Sequence, residues 1–387
     1  MDRNDRRLER WLAAGVIDAE TAERIRAFER AREGGVGRAL PVALALGFGG
    51  VLVAAGVLLF VAANWDVMSP ALRVAAVLTM VGAFHVGGAA AAGRFEALAT
   101  TLHALGTIAL GAGIFLAGQV FNLDEHWPSG LMLWAIGAWA GWWLRRDWAQ
   151  LALAVSLTPA WLGAEWSALR LAEAWRVLAP EVGFFLLALA YVSVDRGRFA
   201  RAVERTFFWL GAVSLPVTAV ILAGAAATRV EFEAARLARP AFGALPFGVP
   251  ATPDIVALGW TVALLAPFAA AWLLRRQGTS MNAAATVWAV ALVNVHLLHS
   301  RLWMYPWLAV GCVGLALWGL RERRASLVNF AAAGFALTVM AFYFETVMTK
   351  MGRSVSLMGL GALFLVGGYL LERARRRMVG AMKGGLA

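Results

Sequence analysis

The sequence predicts an all-α polytopic membrane protein: a transmembrane helical bundle of about twelve spans with both termini on the cytoplasmic side. Three observations predict it. The chain of 387 residues is 61% hydrophobic and 15% charged, whereas soluble domains run nearer half apolar and a quarter charged. The apolar residues gather into runs of roughly 18 to 23, the length a helix needs to cross ~30 Å of hydrocarbon. Arginines cluster between the runs, and Trp65, Trp127, Trp142, Trp143 and Trp303 flank them as an aromatic belt would.

Residues 1–38 read as a cytoplasmic two-helix segment. Arg6 to Leu12 form the first helix, ended by Gly15, and Asp18 is a suitable N-cap for the second, which carries Ala22, Ile25 and Phe28. Gly34-Gly35 stops it. The pair is too small to build its own core, so it is expected to rest on the membrane, the spans or a protein partner. The first forty residues, polar and Arg-rich, lack the short apolar region and cleavage site of a signal peptide.

Residues 39–387 form the transmembrane domain. Its spans are read as 41–63, 70–92, 97–118, 130–145, 147–164, 178–194, 206–227, 254–274, 281–299, 303–320, 325–345 and 354–371. The fourth and fifth are short and separated only by Arg145-Arg146-Asp147, so one of them can be re-entrant. The long outer loop 228–253 begins with the charged residues Arg229, Glu231, Glu233, Arg236 and Arg239, a pattern for a surface helix. It then becomes irregular through Pro240, Pro246, Pro250 and Pro253. Pro159, Pro216 and Pro267 fall inside spans, where proline removes a hydrogen bond and can kink the helix.

The net charge of +11 raises nucleic acid as a partner, but its distribution fits topology better. With the N-terminus in the cytoplasm, strict alternation puts 26 of the 35 Lys and Arg residues on the cytoplasmic side and nine outside. The expected partners are therefore the lipid bilayer and a protein reached through residues 1–38, with no nucleic acid. The single cysteine, Cys312, makes neither an intramolecular disulfide nor a zinc site by itself. No metal and no cofactor is expected.

Polar residues in or near lipid are the candidates for function, because hydrocarbon offers them no water. Asn64, Trp65 and Asp66 close the first span and Arg73 opens the second; Gln119 and Asn122 follow the third. In an antiparallel bundle these loops share a face, so the six residues are binding candidates. Helix capping and an Asp66–Arg73 ion pair are the structural alternative. Asp124, Glu125 and His126 are consecutive, a poor arrangement for one metal ion.

Four further residues are proton-coupling candidates: His85, His103, His296 and Glu345. His85 and His103 lie at similar depth, ~10 Å, on neighbouring antiparallel spans, so they can touch. A histidine pair can shuttle protons or sense pH; alternatively each is neutral and bonded to backbone or to Thr79 or Thr107. His296 follows Asn294 and precedes His299 near the outer end of the ninth span. Glu345 lies near the outer end of the eleventh, where Lys350 or Arg353 can pair with it. In the third span Ala109, Gly113 and Ala117 form a small-residue stripe suited to close helix packing. The chain has no GxSxG elbow, HExxH or Walker A sequence, so no catalytic residues are named.

Leu12, Gly15, Ile17, Glu20, Ala22 and Ile25, then Ala63-Asn64-Trp65-Asp66, then Gly118-Gln119-Val120-Phe121-Asn122 together resemble a large uncharacterised bacterial family of predicted multi-span membrane proteins of unknown function. The likeness covers about residues 8–145. It implies a multi-pass protein of the bacterial inner membrane with a cytoplasmic N-terminal helical segment, and it supplies no substrate. Three function classes stay open: a permease for a small solute, ion or lipid-like molecule; a non-transporting scaffold, sensor or assembly factor; and a membrane-embedded lipid or glycan enzyme.

Overall fold

The computed structural model describes residues 11–12, 14–25, 27, 68–120, 126–169, 178–238, 252–275, 278–295 and 301–347, with isolated positions between 45 and 59 and between 358 and 373. All regular structure among them is helical. In chain order the long helices are α1 (Pro70–Ala91), α2 (Glu96–Val120), α3 (Pro128–Arg145), α4 (Trp148–Ala168), α5 (Ala179–Val192), α6 (Arg201–Ala238), α7 (Pro253–Leu274), α8 (Ser280–Val293), α9 (Met304–Arg321) and α10 (Ala325–Phe342), which runs on into a π-helical turn, Tyr343–Val347.

Among the described residues, five stretches are long and apolar enough to cross a membrane: Pro70–Ala91, Glu96–Gln119, Arg201–Glu231, Pro253–Leu274 and Ala325–Thr346. No more than 33% of the apolar window in any of them is buried. Leu72, Leu78 and Val86 of α1 and Trp209, Val213, Val217 and Ile221 of α6 are exposed. Apolar surface on this scale is tolerated where the solvent is hydrocarbon. The chain is therefore a membrane protein with several helices able to span; α5 and α8 are shorter apolar helices.

Two compact units divide the chain, Met1–Leu157 and Thr158–Ala387, the division falling within α4. In the first unit, Asp18 acts as an N-cap, its Oδ1 accepting from the Thr21 amide at 2.7 Å. Gly15 takes φ 65°, the left-handed conformation glycine adopts without penalty. Ser69 caps α1 through Oγ, with Pro70 in the first turn. A short turn at 92–95 folds α2 back on α1, and Val77, Met80 and Phe84 pack against Leu105 and Ala109. Gly113 continues that face: a Cβ there would stand 2.8 Å from Val77 Cγ1. The small-residue stripe is thus a packing surface at Ala109 and Gly113.

The helices α3 and α4 are separate helices of 18 and 21 residues. Ala135 and Ala138 of α3 meet Ala154 and Leu157 of α4, the pairing of an antiparallel hairpin. Arg146 turns the chain with φ 54°, and its guanidinium lies 4.5 Å from the Trp142 ring.

The second unit is built around α5, where nine residues, from Ala179 to Val192, are buried. A helix apolar on all sides belongs inside a bundle. Val182, Phe185 and Leu189 share a core with Leu222 of α6, Leu292 of α8, Trp318 of α9 and Leu327 of α10. One end of this unit is tied by ions. Arg275, after α7, pairs with Glu322, after α9, and its Nη1 donates to Ser193 O at 3.3 Å. Arg324 Nη2 donates to Asp195 Oδ1 at 3.0 Å, and its Nε lies 3.1 Å from Glu322 Oε2. Burial pushes the Arg324 guanidinium below its usual pKa, and the charge of Arg275 adds to this against Glu322 and Asp195.

The helix expected at the start of 228–253 is present, but it is continuous with the seventh span, because α6 is a single helix to Ala238. Residues 228–238 contain neither proline nor glycine, so nothing in the local chemistry stops the helix. Arg229 is consequently buried, with Nη1 donating to Val293 O at 2.6 Å. Pro159, Pro216 and Pro267 lie inside α4, α6 and α7.

Candidate functional site: a histidine pair between two helices

The turn after α1 sets the register of the first hairpin. His85 precedes Arg94 by nine residues and His103 follows it by nine, so the two reach the same level on facing helices. Their Nδ1 atoms are 3.1 Å apart and their ring centroids 5.4 Å apart, with the planes tilted by 35°. A bulky residue opposite either ring would prevent this approach. Each ring instead lies on a glycine of the other helix. A Cβ on Gly88 would stand 2.9 Å from His103 Nε2, and one on Gly106 would stand 2.8 Å from His85 Nε2. The arrangement is reciprocal: each helix contributes a histidine and, three residues later, the glycine that receives its partner.

A hydrogen bond between two Nδ1 atoms constrains the protons. A neutral imidazole carries one N–H and one acceptor nitrogen. One ring must therefore be the Nδ1–H tautomer and the other the Nε2–H tautomer. An added proton at an outer nitrogen leaves the shared bond intact and charge-assisted. A second makes both Nδ1 atoms donors and abolishes the bond. Two cations at 5.4 Å also repel by about 3 kcal/mol at an effective dielectric near 20. The pair is thus suited to exchange one proton.

A second polar layer lies one helical turn along. Thr107 is buried; its hydroxyl is 3.2 Å from His103 O and 3.0 Å from Gln150 Oε1, and can donate to either. Gln150, on α4, is fully buried, and Gly141 of α3 leaves room for its amide. Trp134 Nε1 donates to Thr107 O at 2.8 Å. The start of α4 is capped by Asp147, whose Oδ1 accepts from the Gln150 backbone N–H at 2.9 Å. His103 Nε2 and Gln150 Nε2 are buried and have no hydrogen-bond partner among the described residues. Such groups are costly unless water or a ligand meets them. The charged groups acting on His103 are Arg145 and Asp147, themselves 4.0 Å apart.

The other candidates distribute as follows. Asn64, Trp65, Asp66, Asn122 and His296 lie outside the described residues. Arg73 is half-buried in the first turns of α1, and Gln119 is exposed near the end of α2. Glu345 stands in the π-helical turn and accepts a hydrogen bond from Tyr305, whose ring packs edge-on against Phe342 at 5.2 Å. π-Helical turns recur at functional sites. Thr79 bonds to Ala75 O rather than to a histidine. Among the described residues no group of three His, Cys, Asp or Glu side chains could hold a metal ion.

Sequence reasoning missed Gln150 as part of the site. Its signal was a lone amide inside an apolar run. Arg275 and Arg324 entered the sequence reading only as loop charges, and Glu322 and Asp195 not at all; three connections distant in sequence had to be brought together before these four became a network.

Residues 9–151 match the model of a family described as a predicted membrane protein (DUF2157). The likeness to an uncharacterised membrane family is thereby shown, and the matched stretch holds His85, His103, Thr107 and Gln150. No curated protein and no solved structure matches the chain.

Proposed function

We propose that the protein lies in the inner membrane of a bacterium with both termini cytoplasmic. There it works as a permease that couples movement of a small solute, ion or lipid-like molecule to protonation of the His85–His103 pair. The observation that carries the reading is the 3.1 Å contact between the two Nδ1 atoms, within a hairpin whose helices are long and apolar enough to span. Ionisable residues at such depth are rare and mark ion or substrate pathways. The unpartnered Nε2 atoms of His103 and Gln150 offer polar contacts to a solute or to water beside the shared proton. Glu345, with Tyr305, is a second protonatable group for such a cycle.

The test uses the full chain in vesicles loaded with a pH-sensitive dye and challenged with amino acids, sugars, nucleosides and monovalent cations. At least one solute should shift the internal pH. His85→Asn and His103→Asn should each cut that shift by roughly a hundredfold, the lower range for losing a positioned proton-transfer group. Parallel ¹⁵N NMR of the imidazoles should show one Nδ1–H and one bare Nδ1. Paired rings with no solute-driven shift would overturn the permease reading in favour of a pH sensor. Two rings titrating independently would overturn both.

A further inference from the structure

A groove of about 220 Å³ runs between α4, α5 and α7 in the second unit. Its wall is apolar apart from Glu165 and the indole of Trp166. It follows α4 from Pro159 to Leu169 and α7 from Ile255 to Pro267. At ~1.5 Å per residue these stretches are ~15 and ~18 Å long, the depth of one leaflet in a hydrocarbon core of ~30 Å. One end lies where α4 finishes and where α5 and α7 begin. The other end lies by Pro159, about midway along α4, and by Pro267, about two-thirds of the way along α7. With α7 spanning the membrane, such a groove would run from the interface toward the bilayer centre.

Near its interfacial end the wall carries an unmet hydrogen-bond donor. Trp166 Nε1 is buried and without a partner among the described residues; Nε1 of Trp260, which packs in the same apolar cluster behind the wall, is likewise unpartnered. Nearby, Trp161 Nε1 donates to Glu165 Oε1 at 2.8 Å, so that indole is satisfied where the other two are not. Tryptophans at the interface ordinarily direct N–H toward polar groups. A buried, unmet donor on the wall of an apolar channel one leaflet deep matches one ligand chemistry: a hydrocarbon chain ending in oxygen acceptors.

We propose that the groove binds one acyl chain of an ester-linked glycerolipid, with the ester oxygens at the level of Trp166. The chain lies along α4 and α7 and meets Phe184 of α5 between them. Gly183 and Gly259 hold the three helices close, since a Cβ on Gly183 would lie 3.2 Å from Ala263 Cα and one on Gly259 would enter the Trp166 ring. The site belongs to the second unit and stands independently of the histidine pair.

The experiment places the full-length protein in phosphatidylethanolamine–phosphatidylglycerol vesicles. These carry a trace of phosphatidylglycerol with a photoactivatable diazirine midway along one acyl chain. Adducts are expected to concentrate on residues 159–169, 179–187 and 255–267. Leu258→Trp and Ala266→Phe, both at exposed groove positions, should remove most of them and leave adducts on the exposed face of α6 unchanged. Trp166→Phe should lower labelling by an ester-linked probe about fivefold, as the net worth of one hydrogen bond implies, and should not affect an ether-linked probe. Displacement of the probe by free fatty acid but not by unlabelled glycerolipid would overturn the glycerolipid assignment. Adducts spread evenly over every exposed helix, or indifferent to both filling substitutions, would mean ordinary surrounding lipid and overturn the site.

Discussion

The imidazole of His85 lies against Gly106, so closely that a single added methyl carbon would fall 2.8 Å from its Nε2. The contact is what permits the Nδ1–Nδ1 approach. Gly106→Ala should displace the ring, break the shared hydrogen bond and cost about 1–3 kcal/mol of stability, the usual range for overpacking a filled site. ¹⁵N NMR of the two imidazoles, with a thermal melt in detergent, reads both effects. An unchanged pair of Nδ1 resonances in that variant would show that the glycine is incidental.

The ion network should respond unevenly to mutation. The Arg275 side chain is 1% exposed and that of Glu322 is 18% exposed. Glu322→Gln removes the carboxylate facing a buried guanidinium and should destabilise by about 3–5 kcal/mol. Arg275→Met should cost less, because Glu322 still has the Arg324 guanidinium and the Trp318 indole. Denaturation midpoints of the two variants give the order directly; the reverse order would mean that Arg275 does not depend on Glu322 as a counter-ion.

Asp18 gives the N-terminal segment a pH dependence. Its hydrogen bonds with the Thr21 side chain and backbone hold its carboxyl below the ordinary pKa. The ionised form is thus favoured in the folded helix. That stabilisation is complete above the unfolded carboxylate value and is lost as pH falls through the depressed folded value. The protection of the Thr21 amide, its exchange rate referenced to an unfolded chain at the same pH, should fall over that acidic window. In Asp18→Asn, which keeps a capping oxygen but cannot ionise, the pH step should vanish.

Topology has its own test. Reporter domains fused after Arg94, Arg146, Arg276 and Arg324 should all report cytoplasm if the arginine bias sets orientation. Periplasmic signals from two of them would overturn the alternating topology proposed here.

Several features were legible in the residues alone. Runs of apolar side chains announced membrane helices, since the length of a helix and the thickness of a bilayer are both set by elementary geometry. The likeness carried by Leu12–Ile25 and the two span-ending motifs lies within the stretch that the family match covers. The equal spacing of His85 and His103 about Arg94 put both rings at one level, because a short turn leaves an antiparallel hairpin little choice of register. Local rules also placed the Asp18 cap and the small-residue face of α2.

Tertiary structure decided what those rules leave open. Depth is encoded in spacing, but rotation about a helix axis is not, so only packing could turn the two histidines toward each other and seat each on the other's glycine. The same holds for Thr107 meeting Gln150 forty-three residues away, and for Arg275, Glu322, Arg324 and Asp195 converging from separate connections. Such contacts depend on which helices become neighbours, a property of the whole packed bundle that no local stretch of sequence carries.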